Sequence, residues 1–136
     1  MAVQLIPYLT FDGNAREAMT FYASVLGGTP TFSTFGENFP EGGDGIMHSY
    51  LRTDAGLELM ASDTFGDMPA PSGSAVTLSL IGDDAEAQRR WFAGLSEGGE
   101  VTMPLEQQMW GDEYGEFTDK FGNQWSVNVG TAPQDA

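Results

Sequence analysis

Few residues in this chain are equipped for chemistry. His48 is the only histidine, and Glu58 and Glu116 are expected on neighbouring strands near it. A histidine beside carboxylates can act as a base whose pKa the neighbouring charge sets, or can join them in holding a divalent ion through an unusual donor set. It can equally be a plain hydrogen-bonding residue. Arg52 should face Glu58 across a hairpin turn at Asp54-Ala55-Gly56. That pair reads either as an ion pair worth little more than ~1 kcal/mol when exposed, or as an Arg52 anchor for a ligand carboxylate or phosphate. Tyr8, Tyr50 and Tyr114 offer aromatic faces and hydroxyls. Trp110, just before Gly111, can stack on a flat ligand or pack in a core or between subunits. There is no cysteine, which excludes disulfides, thiolate metal sites and cysteine nucleophiles. No phosphate-cradling GxxxxGKS, no GxGxxG after a strand and no Ser-His-Asp arrangement appears.

Composition narrows the partners. Five Lys plus Arg stand against twenty Asp plus Glu, for a formal charge of −15. Such a surface repels phosphate backbones and anionic lipid, so no nucleic acid and no membrane partner is expected, while cationic ligands are favoured. The 40% apolar content and nine Phe in 136 residues suit one domain with a real core. No window approaches ~18 uninterrupted apolar residues, the length of a membrane span. The opening Met1–Pro7 has no basic n-region and reads as a strand rather than a signal peptide, so a cytoplasmic protein is expected.

An internal repeat organises these residues. Asn14, Glu17, Ala18, Tyr22 and Leu26 are matched sixty-nine positions later by Asp83, Glu86, Ala87, Trp91 and Leu95. Both sets describe one helix: an Asn or Asp N-cap, a Glu three residues on, an apolar i, i+4, i+8 stripe, and a glycine pair at the end. A strand precedes each helix and three extended segments follow it. These are expected near Thr31–Phe35, Gly45–Thr53 and Leu57–Asp63, then near Val101–Trp110, Glu113–Asp119 and Gln124–Val129. The order is βαβββ twice, an α+β architecture. Gly36–Asp44 is a glycine-rich loop and Thr64–Ser74 a connector. The whole chain is expected to be one domain, with a first module near 1–63, a second near 75–130 and a short tail at 131–136.

The closing hairpins match at sixty-six residues, and period-two alternation assigns their faces. Phe117, Trp125, Val127 and Val129, with Met47, Leu51, Leu57, Leu59 and Ala61, should pack on the helices. The opposite face should carry Tyr114, Glu116, Thr118, Gln124, Ser126 and Asn128, and in the first half His48, Tyr50, Arg52, Glu58, Met60 and Ser62. Ile6, Tyr8 and Thr10 should share it, as should Ala75, Thr77 and Ser79. A sheet with helices on one side must cover or use the other, and this mixture of aromatic, hydroxyl and amide groups suits a small-molecule site or a subunit contact.

The segment Trp110–Trp125, set beside Pro7-Tyr8-Leu9-Thr10-Phe11-Asp12-Gly13-Asn14 and the following Phe21-Tyr22, resembles the glyoxalase/bleomycin-resistance family, also called the vicinal oxygen chelate family, and within it the PhnB-like branch. The resemblance covers nearly the whole chain. It implies two βαβββ modules whose sheets curl into a cup around a ligand, commonly in homodimers. Metal-dependent members hold a divalent ion with four side chains, and those four places fall here on Ile6, Ala75, Met60 and Ser126, none a usual ligand for a hard ion. PhnB-like sequences often carry a histidine where His48 stands. The expectation is therefore a metal-free protein, without cofactor, that binds a small aromatic or partly cationic molecule through Tyr8, His48, Tyr50, Arg52, Glu58, Met60, Trp110, Tyr114, Glu116 and Ser126. The alternatives are a metal-dependent lyase, isomerase or dioxygenase using His48, Glu58 and Glu116, or a dimeric interaction module without a ligand. Nothing resembles an S-adenosylmethionine-binding unit, so the methyltransferase label given to some relatives is rejected.

Overall fold

The computed structural model describes residues 3–66 and 76–130. Most of the expected connector, Ala75 and the tail at 131–136 lie outside the described residues. The chain divides into two compact units, Met1–Ser72 and Gly73–Ala136. In the first, the order is β1 (Tyr8–Phe11), α1 (Ala15–Leu26), β2 (Thr31–Thr34), α2 (Phe35–Asn38), β3 (Ile46–Arg52) and β4 (Glu58–Asp63). In the second it is β5 (Thr77–Gly82), α3 (Ala85–Ser96), β6 (Glu100–Gln107), β7 (Glu113–Thr118) and β8 (Gln124–Val129). Each unit forms a four-stranded sheet, ordered β1-β4-β3-β2 and β5-β8-β7-β6. The leading strand runs parallel to the closing strand, and the other pairings are antiparallel. The α+β fold of two βαβββ modules is thus present, with α2 as an addition. No helix of the described residues is long and apolar enough to cross a membrane.

The helices form because their apolar residues recur on one face. Ala15, Ala18, Met19, Tyr22 and Leu26 are the buried residues of α1, and α1 lies on β3 and β4. On α3 the buried residues are Ala87, Gln88, Phe92 and Leu95. Phe92 thus fills the buried aromatic place expected of Trp91, whose side chain is only half-buried. Capping also differs from expectation. Asp84, one residue beyond Asp83, caps α3 by accepting from the Ala87 amide at 3.2 Å. Asn14 makes no side-chain cap on α1; that end is held from a distance by Asp63.

Asp63 is buried at the end of β4. Its Oδ1 accepts from the Ala15 amide at 2.9 Å and its Oδ2 from the Ile46 amide at 2.8 Å. One carboxylate therefore joins the start of α1 to the start of β3, satisfying an amide that the first helical turn leaves without an internal partner. Beside it, β3 pairs Ser33 with His48 but Thr34 with Ile46. Met47 is the extra residue of this bulge, so Ile46 takes the buried place expected of Met47.

The closing hairpins of the two units use one turn design. Gly56 and Gly122 adopt φ of 90° and 93° and donate to the carbonyls of Thr53 and Asp119, a backbone region open to glycine at little cost. Thr53 Oγ1 accepts from the Leu57 amide, and Asp119 Oδ1 accepts from the amides of Phe121 and Asn123. Two other segments depart from expectation. Thr34 caps α2 by accepting from the Glu37 amide, which turns the start of the expected Gly36–Asp44 loop into a helical turn. β6 ends at Gln107, so Trp110 lies in the turn between β6 and β7 rather than at a strand end.

Asp63→Ala leaves two buried amides without their acceptor. A loss of about 2–4 kcal/mol is expected in urea unfolding, whereas Asn14→Ala should change stability by well under half of that.

Candidate functional site

In the second unit, core packing decides which residues face away from the helix. Phe117 packs edge-on against Phe92 of α3 with ring centroids 5.1 Å apart, and stacks on Trp125 at 6.2 Å. Trp125 Nε1 also donates to Asp119 Oδ2 at 2.8 Å. Because successive strand residues alternate, Tyr114, Glu116 and Thr118 of β7 and Gln124, Ser126 and Asn128 of β8 must point the other way. Gly115, on the helix side between them, has no room for a Cβ, which would lie 2.8 Å from both Leu105 Cα and Phe92 Cε2.

The strand register then sets these residues in rows. Ser79, Ser126 and Glu116 are neighbours across β5, β8 and β7, and Thr77, Gln124 and Thr118 form the next row. The Ser79 and Ser126 hydroxyls are 2.7 Å apart, and Thr77 Oγ1 donates to Gln124 Oε1 at 3.4 Å. The Tyr114 hydroxyl donates to Glu116 Oε2 at 2.8 Å. These residues, with Thr102 of β6, line a hollow of about 380 Å³. The hydrogen bond to Glu116, with partial burial behind it, pushes the Tyr114 phenol above the ordinary tyrosine value, opposed in part by Ser126.

The equivalent face of the first unit carries different groups. Tyr8, Met60, Tyr50 and Thr31 form one row across β1, β4, β3 and β2. The Tyr8 hydroxyl lies 3.1 Å from His48 Nδ1. Glu58 is a hub: Oε1 accepts from Arg52 Nη1 at 3.1 Å and from Gln4 Nε2 at 3.2 Å, and Oε2 from the Tyr50 hydroxyl at 2.9 Å. Arg52 and Glu58 do face each other across the hairpin. The Arg52 side chain stays 60% exposed against 12% for Glu58, which leaves its outer edge open to solvent or a ligand. The Tyr50 phenol is likewise raised, first by its bond to Glu58.

Of the ten residues singled out in the sequence, Tyr114, Glu116 and Ser126 share the hollow of the second unit. Tyr8 with His48, and Tyr50 with Arg52 and Glu58, are bonded sets on the first unit's face, and Met60 lies in the row of Tyr8 and Tyr50. Trp110 is 60% exposed, its ring edge-on to Tyr114 with centroids 6.3 Å apart. Thr102 and Gln4 were not singled out. Thr102 reaches its face through the pairing of β6 with β7, and Gln4 through its side-chain bond to Glu58, and neither leaves a local sequence signal.

Strand register shows which side chains adjoin the places that the resemblance gives to the family's metal ligands. The leading-strand neighbour of Met60 is Tyr8 rather than Ile6, and that of Ser126 is Ser79; Ala75 lies outside the described residues. Thioether and neutral hydroxyl groups already bonded to His48 or to each other make a poor donor set for a hard divalent ion. Among the described residues, no three His, Cys, Asp or Glu come together in a way that could hold a metal. The residues present do not fit the family ion.

A family model described as the glyoxalase/bleomycin resistance protein/dioxygenase superfamily matches residues 4–127. The chain belongs to this superfamily. It is 34% identical to protein YjdN of Escherichia coli K12, over 92% of this chain and 94% of YjdN. A crystal structure of protein PA1353 from Pseudomonas aeruginosa is 40% identical and superposes with a TM-score of 0.84, over 96% of this chain and 99% of that one. A PhnB protein from Bacillus cereus, described as a putative 3-demethylubiquinone-9 3-methyltransferase, shares the fold with a TM-score of 0.76 at 24% identity, over 94% of this chain and 100% of that one. That likeness accords with the PhnB-like branch and concerns the fold alone.

The chain has four tyrosines. In an alkaline titration followed by tyrosinate absorbance, Tyr114 should ionise above the usual value of about 10. Glu116→Ala should bring one titration step down towards that value. Because the folded-state value is the raised one, Tyr114 stabilises the fold below the unfolded value, and this is lost as pH rises through the folded value.

Proposed function

We propose that this chain is a small-molecule-binding member of the superfamily that works without the family metal ion. The observation that carries the reading is the hollow of about 380 Å³ on the sheet face of the second unit, with Tyr114, Glu116 and Ser126 among its lining residues. Its size falls within the range of ligand pockets, roughly 300–1,000 Å³. Helix α3 packs on the opposite side of this sheet, and the polar groups of the face are paired with one another in the free protein. Ligand groups can therefore replace those bonds without leaving buried atoms unpaired.

The remaining candidates, Tyr8, His48, Tyr50, Arg52, Glu58, Met60 and Trp110, belong to the same proposal. On the first unit they supply an imidazole, an exposed guanidinium and phenol hydroxyls; Trp110 extends the aromatic surface beside Tyr114. The reading treats the chain as one cytoplasmic, homodimeric domain. The charge of −15 supports small ligands, cationic ones in particular, over nucleic acid or anionic membranes.

Metal analysis of the purified protein should find no stoichiometric divalent ion, and added Zn, Mn, Ni or Fe should leave its melting temperature unchanged. A bound ion would instead favour the metal-dependent lyase, isomerase or dioxygenase. In a small-molecule melting screen, a stabilising compound should lose its effect on Tyr114→Ala. A hit that survives both that substitution and His48→Ala would put binding away from both of these faces.

A further inference from the structure

We infer that the hollow on the second unit takes a small polyhydroxylated amine, of the amino-sugar or amino-polyol class; the inference rests on the binding reading above and names its ligand. Eight of the ten lining residues carry hydroxyl, amide or carboxylate side chains, Phe117 and Trp125 being the exceptions, and none is Lys, Arg or His. An anionic ligand would meet a carboxylate with no cation to offset it. A flat apolar ligand would strip water from a floor of hydroxyl and amide groups and return no bonds, at a cost for each group left unpaired. A polyol instead presents alternating donors and acceptors that can exchange with the Ser79–Ser126 and Thr77–Gln124 pairs.

Glu116 adds the preference for an amine. Its Oε2 accepts from Tyr114, and among the described residues nothing bonds to its Oε1. One carboxylate oxygen is thus available to a ligand ammonium, and a charge-assisted bond is roughly twice as strong as a neutral one. On the first unit, by contrast, Glu58 is bonded by three donors.

The duplication provides an internal control. The two closing hairpins correspond through the register pairs Arg52 with Glu58 and Thr118 with Gln124. The place of Glu116 is then held by Tyr50 and that of Ser126 by Met60. The leading-strand partner changes from Ser79 to Tyr8. The fold therefore does not require the hydroxyl and carboxylate set, which belongs to the second unit alone.

The test compares one ring scaffold in three charge states: glucosamine, glucose and glucuronate, titrated into the full chain and followed by amide chemical shifts. Glucosamine should bind about tenfold more tightly than glucose, with glucuronate not binding and the shifts centred on β7 and β8. Glu116→Gln should bring the amine-to-neutral ratio to about one, while Ser79→Ala with Ser126→Ala should weaken both sugars about equally. Equal binding of glucosamine and glucose, binding of glucuronate, or a ratio unchanged by Glu116→Gln overturns the inference. These comparisons on the unsubstituted chain decide the matter even if a variant fails to fold. If no sugar binds but another small molecule does so in a Tyr114-dependent way, only the ligand class falls. If nothing binds at this face, the binding reading falls with it.

Discussion

The closing strands β4 and β8 are each hydrogen-bonded on both edges, to a parallel leading strand on one side and an antiparallel hairpin partner on the other. Everything on the polar faces depends on this double pairing. It fixes which side chains share a row, so that Ser79, Ser126 and Glu116 become neighbours although they are far apart in the chain. It also makes a one-residue slip prohibitive, because such a slip would turn Trp125 and Val127 out of the core and bring Ser126 into it. Helix α3 on one face and hydrogen-bonding groups on the other are two results of one alternation.

Carboxylates do two kinds of work in this molecule. Asp63 and Asp119 are buried, and each collects donors that the local backbone cannot otherwise satisfy: a helix start and a strand start for Asp63, a hairpin turn and the Trp125 indole for Asp119. Glu58 and Glu116 lie instead on the open faces and accept from tyrosines. The repeat has diverged unevenly between these roles. The turn geometry at Gly56 and Gly122 is kept, because positive φ leaves little choice of residue. The side chains at matched places on the polar faces differ, Tyr50 against Glu116 and Met60 against Ser126, because no positive φ constrains them.

Much of the fold was legible in the sequence where local physics governs it. The alternation of Phe117, Trp125, Val127 and Val129 announced β7, β8 and their buried side, and Gly56 and Gly122 announced the turns. The helices were legible from their apolar stripes, although Phe92 rather than Trp91 turned out to be the buried aromatic. What was not legible came from distant partners. Nothing near Asn14 tells that the α1 terminus will be held by a carboxylate forty-eight residues away. Nothing near Met47 tells of the bulge, which arises where β2 and β3 meet. The closing-strand neighbours of the leading strands, Met60 for Tyr8 and Ser126 for Ser79, were not legible for the same reason: a parallel pair has no connecting turn to set its register.

The sequence by itself determined the duplicated βαβββ order, the helix-facing residues and the set of polar groups opposite them, because periodicity and turn chemistry act over a few residues. Only the tertiary structure decided which of those polar groups meet. That Tyr114 bonds Glu116, that Ser79 bonds Ser126, and that Glu58 accepts from three donors while Glu116, among the described residues, accepts from Tyr114, follow from strand register and from donors brought in by other segments. Those are distances in space, which spacing along the chain does not encode.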